Sequence, residues 1–450
     1  MFKVTNIISA TQPLYYVSKL FGLAPYSYLE LLSNSCIIKG PSVPFIIWTI
    51  TVTVFVVAGY VHNIFYFFRE HEYHIASASI VIIFEKTWLF AFSVSILLLG
   101  ITRNRLKMQD IFQHIIEIES SLLKNQARII FKKEFWSLSF QVLFVSGFHV
   151  CMFYSYVKIH QDKEKFASYF SYSIASFINT IGVIQFLFLL KILRMSCRRI
   201  GDDLEHAEIN YFAANKASIV RHIHGQIPEY QQSRKLYNLR YLHFKLYELA
   251  GLINSCYGFL MLMETTHNFV MFVGLAHSIL MALEKQSGAN LVIHDICLLI
   301  FYSGKLAVIL KTSHLTHNEP KEMLVTVHKL LLCPSISSAC QAQLRLFAAQ
   351  IVDNEFEFTA CGIFPLDLST LHSIVAAAAT YIIILYQLKI TWYPNLFNDA
   401  FARHCKSPPV SFTHVCLSLR TLSLQNRWKK FHKICHRKVW LKYVCTCQLC

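Results

Sequence analysis

Residues Cys361–Leu388, CGIFPLDLSTLHSIVAAAATYIIILYQL, decide the fold class. After Asp367, about two dozen residues carry no Asp, Glu, Lys or Arg, and at ~1.5 Å per residue a helix of that length crosses a hydrocarbon core of ~30 Å. The small side chains of Ala376–Ala379 would let neighbouring backbones approach closely. An amide is costly in lipid, so we expect Gln387 to face protein or a water-filled path. The stretch predicts a membrane-spanning helix.

The composition of the whole chain also indicates a membrane protein. Of its 450 residues, 54% are hydrophobic and 15% are charged, and the mean hydropathy is +0.42. Soluble chains carry about 25% charged residues. A formal charge of +16 would suit nucleic-acid binding, but from Lys389 onward eleven Lys or Arg stand against Asp399 alone. Because most of the excess lies at one end of the chain, we expect no nucleic-acid partner.

Seven apolar segments are long enough to span a bilayer. The first six are Val43–Phe67, Ala78–Gly100, Phe135–Val157, Tyr169–Leu190, Leu252–Leu283 and Leu291–Leu310, and the seventh is the stretch quoted above. The second segment contains Glu85 and Lys86, and charged residues in such a position face the protein interior far more often than lipid. The sequence therefore predicts an all-α protein with seven transmembrane helices.

The distribution of Lys and Arg predicts the orientation of these helices. The linkers after the second, fourth and sixth spans are long, and the first two of them are clearly basic, whereas the linkers after the first, third and fifth spans are short. Basic linkers stay in the cytoplasm. We therefore expect an inverted topology with a cytoplasmic N-terminus, opposite to that of a G-protein-coupled receptor.

The sequence divides into five parts. These are a cytoplasmic N-terminal segment with short helices (1–42), six spans with two long cytoplasmic loops (43–310), a cytoplasmic loop with an amphipathic anchor helix around Ser338–Phe358 (311–366), the last helix (367–388) and a basic C-terminal tail (389–450). A basic tail on the outer side violates the charge rule, so the tail is either a gene-model artefact or a genuine accessory segment. The spacing of its His and Cys residues matches no zinc pattern well.

Three motifs resemble the insect gustatory receptor family. Thr380-Tyr381, followed after five residues by Gln387-Leu388, is similar to the family's Thr-Tyr-(five residues)-Gln-Phe signature. Gly362–Leu366 resembles the family's entry to that helix, and Pro13–Tyr26 resembles its N-terminal segment. The resemblance extends over roughly residues 11–390. The departure is Leu388, which stands where the family has Phe.

The resemblance implies a cation channel subunit, assembled as a homo- or hetero-tetramer of related subunits with the seventh helices around the pore. Gln387 would then line the pore and Leu388 would form a hydrophobic gate that closes by dewetting. Thr380 and Ile384 would line the pore further in, because spacings of three, four and seven residues share one helix face. Two motif residues are expected to pack against neighbours instead, namely Tyr381 and Pro365. As an alternative, Gln387 only ties helices together.

The candidate ligand pocket lies in the outer halves of spans two to six. Aromatic walls with a few polar groups suit small organic tastants, although such residues are also common in helix cores and interfacial belts. The candidates are Phe84, Trp88, His149, Tyr154, Tyr172 and His277. The histidines at helix positions are expected to be hydrogen-bonded bundle residues. No enzyme motif stands out, and we predict no metal site and no cofactor.

These observations predict a gustatory receptor, a multi-pass plasma-membrane protein of sensory neurons that opens a non-selective cation channel when it binds a tastant. Sugar receptors of the family usually have an acid directly after the Thr-Tyr pair, and Ile382 at that place favours a bitter-type or orphan receptor. A G-protein-coupled receptor is the alternative, but its Asp-Arg-Tyr and Asn-Pro-x-x-Tyr motifs are missing. A transporter is a third alternative, and no internal repeat supports it.

The charge pattern leads to a test of topology. An epitope at Met1 should be stained only after permeabilisation, and one in the Glu284–Asn290 turn should be stained on intact cells, because basic linkers remain in the cytoplasm. Surface labelling of the two tagged chains measures this directly. Staining of Met1 on intact cells would sink the inverted topology.

Overall fold

The computed structural model describes residues 7–24, 27–30, 36–39, 43–70, 77–122, 127–160, 163–218, 229–284, 288–333 and 336–392. Its helices are α1 (Ile7–Ala10), α2 (Gln12–Leu20), α3 (Val43–Glu70), α4 (Ser77–Ile101), α5 (Asn104–Leu122), α6 (Ala127–His160), α7 (Lys163–Ser218), α8 (Glu229–Glu284), α9 (Ala289–Leu331), α10 (Ser338–Asp353) and α11 (Leu368–Trp392). Two antiparallel hairpins join β1 (Ser27–Glu30) to β2 (Cys36–Lys39) and β3 (Thr359–Ala360) to β4 (Phe364–Pro365). The described residues up to Ile383 form one compact unit, and the described residues from Ile384 to Trp392 belong to a second.

Six of the described helices are long and apolar enough to cross a membrane. The segments are Val43–Arg69, Ile83–Ile101, Phe131–Ile159, Lys165–His206, Gln232–Leu283 and Ala289–Leu331. Each of the first six predicted spans lies inside one of these helices, and α11 contains a shorter apolar stretch, Leu368–Ile384. The predicted helical membrane fold is confirmed, while the seventh span and the orientation stay predictions.

Much of the sequence that we assigned to loops is helix. α7 continues to Ser218, α8 begins at Glu229, and α9 runs to Leu331 without a break at the predicted boundary after residue 310. The reason is visible in α7, where Leu193, Cys197 and Leu204 are buried at helical spacing among charged residues. These segments are amphipathic helices. A prediction from uniformly apolar runs therefore includes only the apolar half of each helix.

α7 is the central helix of the bundle. In its most apolar stretch 78% of the residues are buried, compared with 17% in the corresponding stretch of α6. A helix that is apolar all round is stable only where protein or lipid covers every face. α3, α4, α6, α8 and α9 all pack against α7. The apolar run from residue 174 to 190 thus explains why the other helices gather around this one.

A close approach fixes α3 against α7. A Cβ atom added to Gly59 would stand 2.6 Å from the Ser171 Cβ, so only glycine fits there. One turn later, the Asn63 amide donates hydrogen bonds to the Ser168 carbonyl at 3.0 Å and the Ser171 hydroxyl at 2.8 Å. Small residues and buried amides are the usual means of joining membrane helices, because lipid supplies no hydrophobic drive between them.

Charged pairs hold the helices together beyond the apolar stretches. The buried Glu319 of α9 accepts hydrogen bonds from Arg194 and Arg198 of α7, the latter at 2.9 Å. Lys191 pairs with Glu134 of α6 at 2.5 Å. The basic character that predicted a cytoplasmic location for this region therefore also builds its interhelical contacts.

The N-terminal helix α1 meets a partly buried acid. The Ile7 N–H donates to the Glu119 carboxylate of α5 at 3.2 Å. Burial raises the pKa of Glu119 to about 7, against the opposing effect of the hydrogen bond from Ile7. A raised folded-state pKa means that the stabilising contribution is complete below the ordinary value of 4.5 and is lost as pH rises through about 7.

We therefore expect the packing of α1 to weaken as pH rises. Hydrogen exchange of the backbone amides of residues 7–20, corrected for intrinsic rates, should be faster at pH 8 than at pH 5. Glu119→Gln should remove this difference, because an amide does not ionise in this range. The matched control Asp110→Asn, on an exposed position of α5, should retain it. Equal protection at both pH values in the unmodified chain would contradict the prediction.

Candidate ligand site and pore helix

A buried ion pair joins α8 to α9. The Lys305 ammonium lies 2.6 Å from Glu264 Oε1, and the two side chains are 7% and 0% exposed. Asn268 donates a second hydrogen bond to the same carboxylate oxygen at 2.8 Å. The ammonium also lies over the Tyr302 ring, 4.8 Å from its centroid. Separating these charges in a bundle without water would leave each uncompensated, which is strongly unfavourable.

Two further carboxylates lie closer to the start of α9. Tyr172 of α7 donates to Glu85 at 2.8 Å, and Ser278 donates to Asp295 at 2.7 Å. Glu85 and Asp295 are near enough for their charges to repel each other. The His294 ring lies 3.7 Å from Asp295. Side chains of α4, α7, α8 and α9 thus converge here.

Tyrosine side chains connect the acids to the ion pair. Tyr169 stacks on Tyr156 with ring centroids 3.8 Å apart and lies beside Tyr172 at 5.8 Å. The buried Tyr302 hydroxyl lies 3.1 Å from the Ser176 hydroxyl and also interacts with Tyr172. We call the whole group the polar cluster; its members are Glu85, His149, Tyr156, Tyr169, Tyr172, Ser176, Glu264, His267, Asn268, Met271, His294, Asp295, Tyr302 and Lys305.

Several buried polar atoms of the polar cluster lack a partner within the described part of the chain. They are Glu264 Oε2, Asn268 Oδ1, His149 Nε2 and both ring nitrogens of His267. His267 is 1% exposed and packs edge-on against Tyr302. His149 was expected to be a hydrogen-bonded bundle residue, and that expectation stays a prediction, although its Nε2 has no partner among the described residues. Buried polar atoms without partners indicate a place for water or a ligand.

The structure brings some of the predicted pocket residues together and separates others. Tyr172 and His149 belong to the polar cluster. Trp88 lies at its margin, donating to the Met263 carbonyl at 3.1 Å and stacking on Phe84, which is 48% exposed. Tyr154 is 67% exposed on α6. The remaining candidate, His277, is half-buried on α8.

Glu264 and Lys305, which form the buried ion pair of the polar cluster, were not among the predicted site residues. Glu264 and Lys305 both lie inside predicted spans, and an ionisable residue inside a span is itself a sign of a functional site. Two of opposite sign in consecutive spans would have pointed to a pair. Asp295 also lies inside a predicted span and gave the same signal, whereas Tyr302 gave none, because only the folded helices show what it faces.

A tight turn precedes α11, and Pro365, which was expected to pack against neighbours, is exposed in the single chain. Gly362 has a φ of +76°, and Pro365 belongs to β4, whose partner strand contains Thr359. Asp367 caps the helix by accepting hydrogen bonds from the Thr370 N–H at 2.9 Å and the Ser369 hydroxyl at 2.8 Å. Partial desolvation acts to raise the pKa of Asp367, but these hydrogen bonds outweigh it and hold the pKa below its usual value.

The predicted pore residues lie along α11. The Thr380 side chain is exposed, and its hydroxyl donates to the Ala376 carbonyl at 3.0 Å. Tyr381 is 53% exposed, and its ring meets the ring of Phe269 of α8 edge-on at 5.7 Å. Ile384 is half-buried and Gln387 is exposed. The Leu388 side chain and residues 393–450 of the basic tail lie outside the described residues.

A small cavity elsewhere in the bundle does not suit a tastant. It lies between α2, α5, α7 and α8, beside Tyr15, Ser18, Gln185 and Tyr257, and its volume is about 20 Å³. A water molecule needs ~10–15 Å³ on this scale, so the space accommodates about one. Among the described residues, no group of three or more His, Cys, Asp or Glu is placed to hold a metal ion.

The ion pair yields a prediction about stability. Lys305→Met should destabilise the chain by about 3–5 kcal/mol, because it leaves a buried carboxylate without a counter-ion. Adding Glu264→Gln should recover most of that loss. Thermal unfolding of the purified protein in detergent measures both effects. Lys311→Met, at an exposed position of the same helix, is the control, and a Lys305→Met protein as stable as this control would refute the pairing.

Comparison with known proteins identifies the fold and the family of the chain. Two structures of the insect olfactory receptor OR5 from Machilis hrabei resemble the chain, each at 12% identity. One covers 84% of this chain and 97% of its own with a TM-score of 0.61, and the other, in complex with eugenol, covers 85% and 97% with a TM-score of 0.60. No curated protein sequence matches significantly. The family model described as 7tm chemosensory receptor matches residues 11–391, so the chain belongs to that family.

Proposed function

We propose that the chain is a gustatory receptor, a subunit of a cation channel that opens when a small-molecule tastant binds. The observation that carries the proposal is the Thr380-Tyr381…Gln387 motif, which lies on α11 of a chain in the chemosensory receptor family. A neutral amide at the end of an apolar helix suits an ion path, because it replaces part of an ion's hydration without holding the ion tightly.

The polar cluster is the proposed tastant site. If the α8–α9 turn faces outward, Asp295 lies about 9 Å along α9 from Ala289 and Lys305 about 24 Å, at 1.5 Å per residue. The site would therefore begin near the outer surface and extend toward mid-membrane. The insect olfactory receptor OR5 from Machilis hrabei, which has a similar fold, has a structure in complex with eugenol. This supports a small organic ligand for the present chain.

Gating follows from differential binding. A tastant opens the channel only to the extent that it binds the open state more tightly than the closed state. Helices α8 and α9 contribute most of the polar cluster, and α8 also contacts α11 through Phe269 and Tyr381. A small movement of α8 would thus reach the helix that carries the proposed pore. Phe269 is the proposed link between ligand and gate.

The assembly proposed is a tetramer of this chain, alone or with related subunits, with α11 around the axis. Large apolar side chains on α11 are exposed in the single chain, namely Val375 and Ile383 at 50% and 56%. Such surfaces are normally covered by lipid or by another subunit. The proposed location is the plasma membrane of sensory neurons, and Ile382, directly after the Thr380-Tyr381 pair, favours a bitter-type or orphan receptor over a sugar receptor.

The pore residues make the proposal testable in cells. Leu388→Ser should raise the resting conductance, because a more polar constriction no longer excludes water. Gln387→Glu should change divalent permeation or block through its added negative charge. Cysteines at positions 387 and 388 should react with thiol reagents applied from outside faster than a cysteine at Tyr386, which is the matched control on another face of the helix.

Whole-cell recording of these variants, with surface expression measured in parallel, decides the matter. Unchanged conductance and selectivity in every variant that reaches the surface would leave Gln387 as a residue that only joins helices. The proposed pore would then be wrong, whatever the ligand.

A further inference from the structure

We infer that the polar cluster is built for a cationic ligand, a protonated or quaternary amine. The inference rests on the proposed function and specifies its ligand class. Four independent features point the same way: the balance of charge, the balance of hydrogen-bonding atoms, the aromatic lining and the presence of one adaptable side chain.

The charges of the polar cluster do not balance. Glu85, Glu264 and Asp295 supply three carboxylates. Lys305 pairs with one of them, and Lys86, which follows Glu85 on α4, is the other cation nearby. With the three acids ionised and the histidines neutral, the formal charges of the described residues in the polar cluster, together with Lys86, sum to one negative charge. An uncompensated charge inside a bundle is costly, so the site favours a ligand that brings a positive charge.

The hydrogen-bonding atoms show the same preference. Glu264 Oε2 and Asn268 Oδ1 can only accept hydrogen bonds, and both lie unpartnered on side chains that are 0% and 1% exposed. A neutral imidazole has one acceptor nitrogen and one N–H donor, so His267, with both nitrogens unpartnered among the described residues, adds one of each. The two unpartnered oxygens, by contrast, can be satisfied only by donors. A protonated amine has N–H donors and no acceptor, which complements these oxygens, whereas a quaternary amine offers only its positive charge.

Aromatic rings provide the third feature. Tyr156, Tyr169 and Tyr172 form a stacked series beside the Glu85 carboxylate that Tyr172 contacts. Faces of aromatic rings attract cations, and quaternary ammonium groups are bound in such surroundings. A carboxylate-bearing ligand would instead meet the excess negative charge, and a neutral ligand would leave that charge uncompensated.

Met271 provides the fourth feature, because it can make room. Its sulfur lies 3.6 Å from the Tyr172 hydroxyl, and the side chain is 2% exposed. Methionine is unbranched and flexible, so it fills a space that a ligand can take over when the side chain rotates. Met271 lies against Tyr172 and packs with Tyr302, so rotation of its side chain would open space beside both rings.

Two probes of equal shape test the inference. Phenyltrimethylammonium and tert-butylbenzene differ only in the charge at the quaternary atom. The purified full-length receptor in lipid nanodiscs should gain thermal stability from the ammonium at a concentration roughly tenfold or more below that needed for its neutral isostere. Equal effects of the two probes, or no effect of the ammonium, would overturn the inference.

Variants locate the site. Asp295→Asn and Glu85→Gln should each raise the ammonium concentration required by roughly tenfold or more, because a buried charge interaction is lost, while the neutral probe is unaffected. The matched control Asp353→Asn, at an exposed position on α10, should bind the ammonium as the unmodified chain does. An unchanged ammonium response in both cluster variants would also overturn the inference. A variant that does not fold leaves the probe pair on the unmodified chain to decide.

Current measurements on the same preparation separate the two proposals. Ammonium binding without any cation current would contradict the channel proposal and leave the ligand class standing. Opening by neutral tastants without ammonium binding would contradict the ligand class and leave the channel standing.

Discussion

Hydrocarbon offers no hydrogen-bonding partner to a peptide group, and the architecture depends on this constraint. A chain that crosses the bilayer must satisfy its backbone internally, so each apolar segment becomes a helix. The same constraint acts on side chains: Asn63 joins α3 to α7 through protein groups, and Glu264 retains Lys305 as its counter-ion. Positions that break the rule are therefore informative. The unpartnered atoms of His267 and Glu264 are such positions.

Long continuous helices can couple contacts that lie far apart in the molecule. α7, α8 and α9 each continue as a single helix well past their apolar halves. Glu319 joins α9 to α7 on one side of the bundle, while the ion pair of Glu264 and Lys305 joins α9 to α8 further along. A ligand that alters the Glu264–Lys305 contact would move a whole helix rather than a loop, and a rigid helix transmits that displacement along its length.

The sequence predicted the parts of the fold that depend on a one-dimensional pattern. The apolar runs located six spans within helices, and a short motif near the end of the last helix indicated the family. The same patterns did not predict the helical extensions. In these extensions apolar residues such as Leu193 and Leu204 occur only at every third or fourth position, so they form no continuous apolar run. The polar cluster was predictable in part. Tyr172 and His149 were suggested by residue type, whereas the electrostatic interaction of Glu85 with Asp295 depends on the tertiary fold, which no local pattern encodes.

The central claim is that this chain forms a ligand-opened cation path, by itself or with related subunits. The most direct measurement is the current through planar bilayers that contain only the purified receptor tetramer, without GTP or any G protein, as tastants are added. The account predicts discrete, ligand-dependent cation currents under these conditions. Assembled protein that binds a tastant and yet passes no current would contradict it.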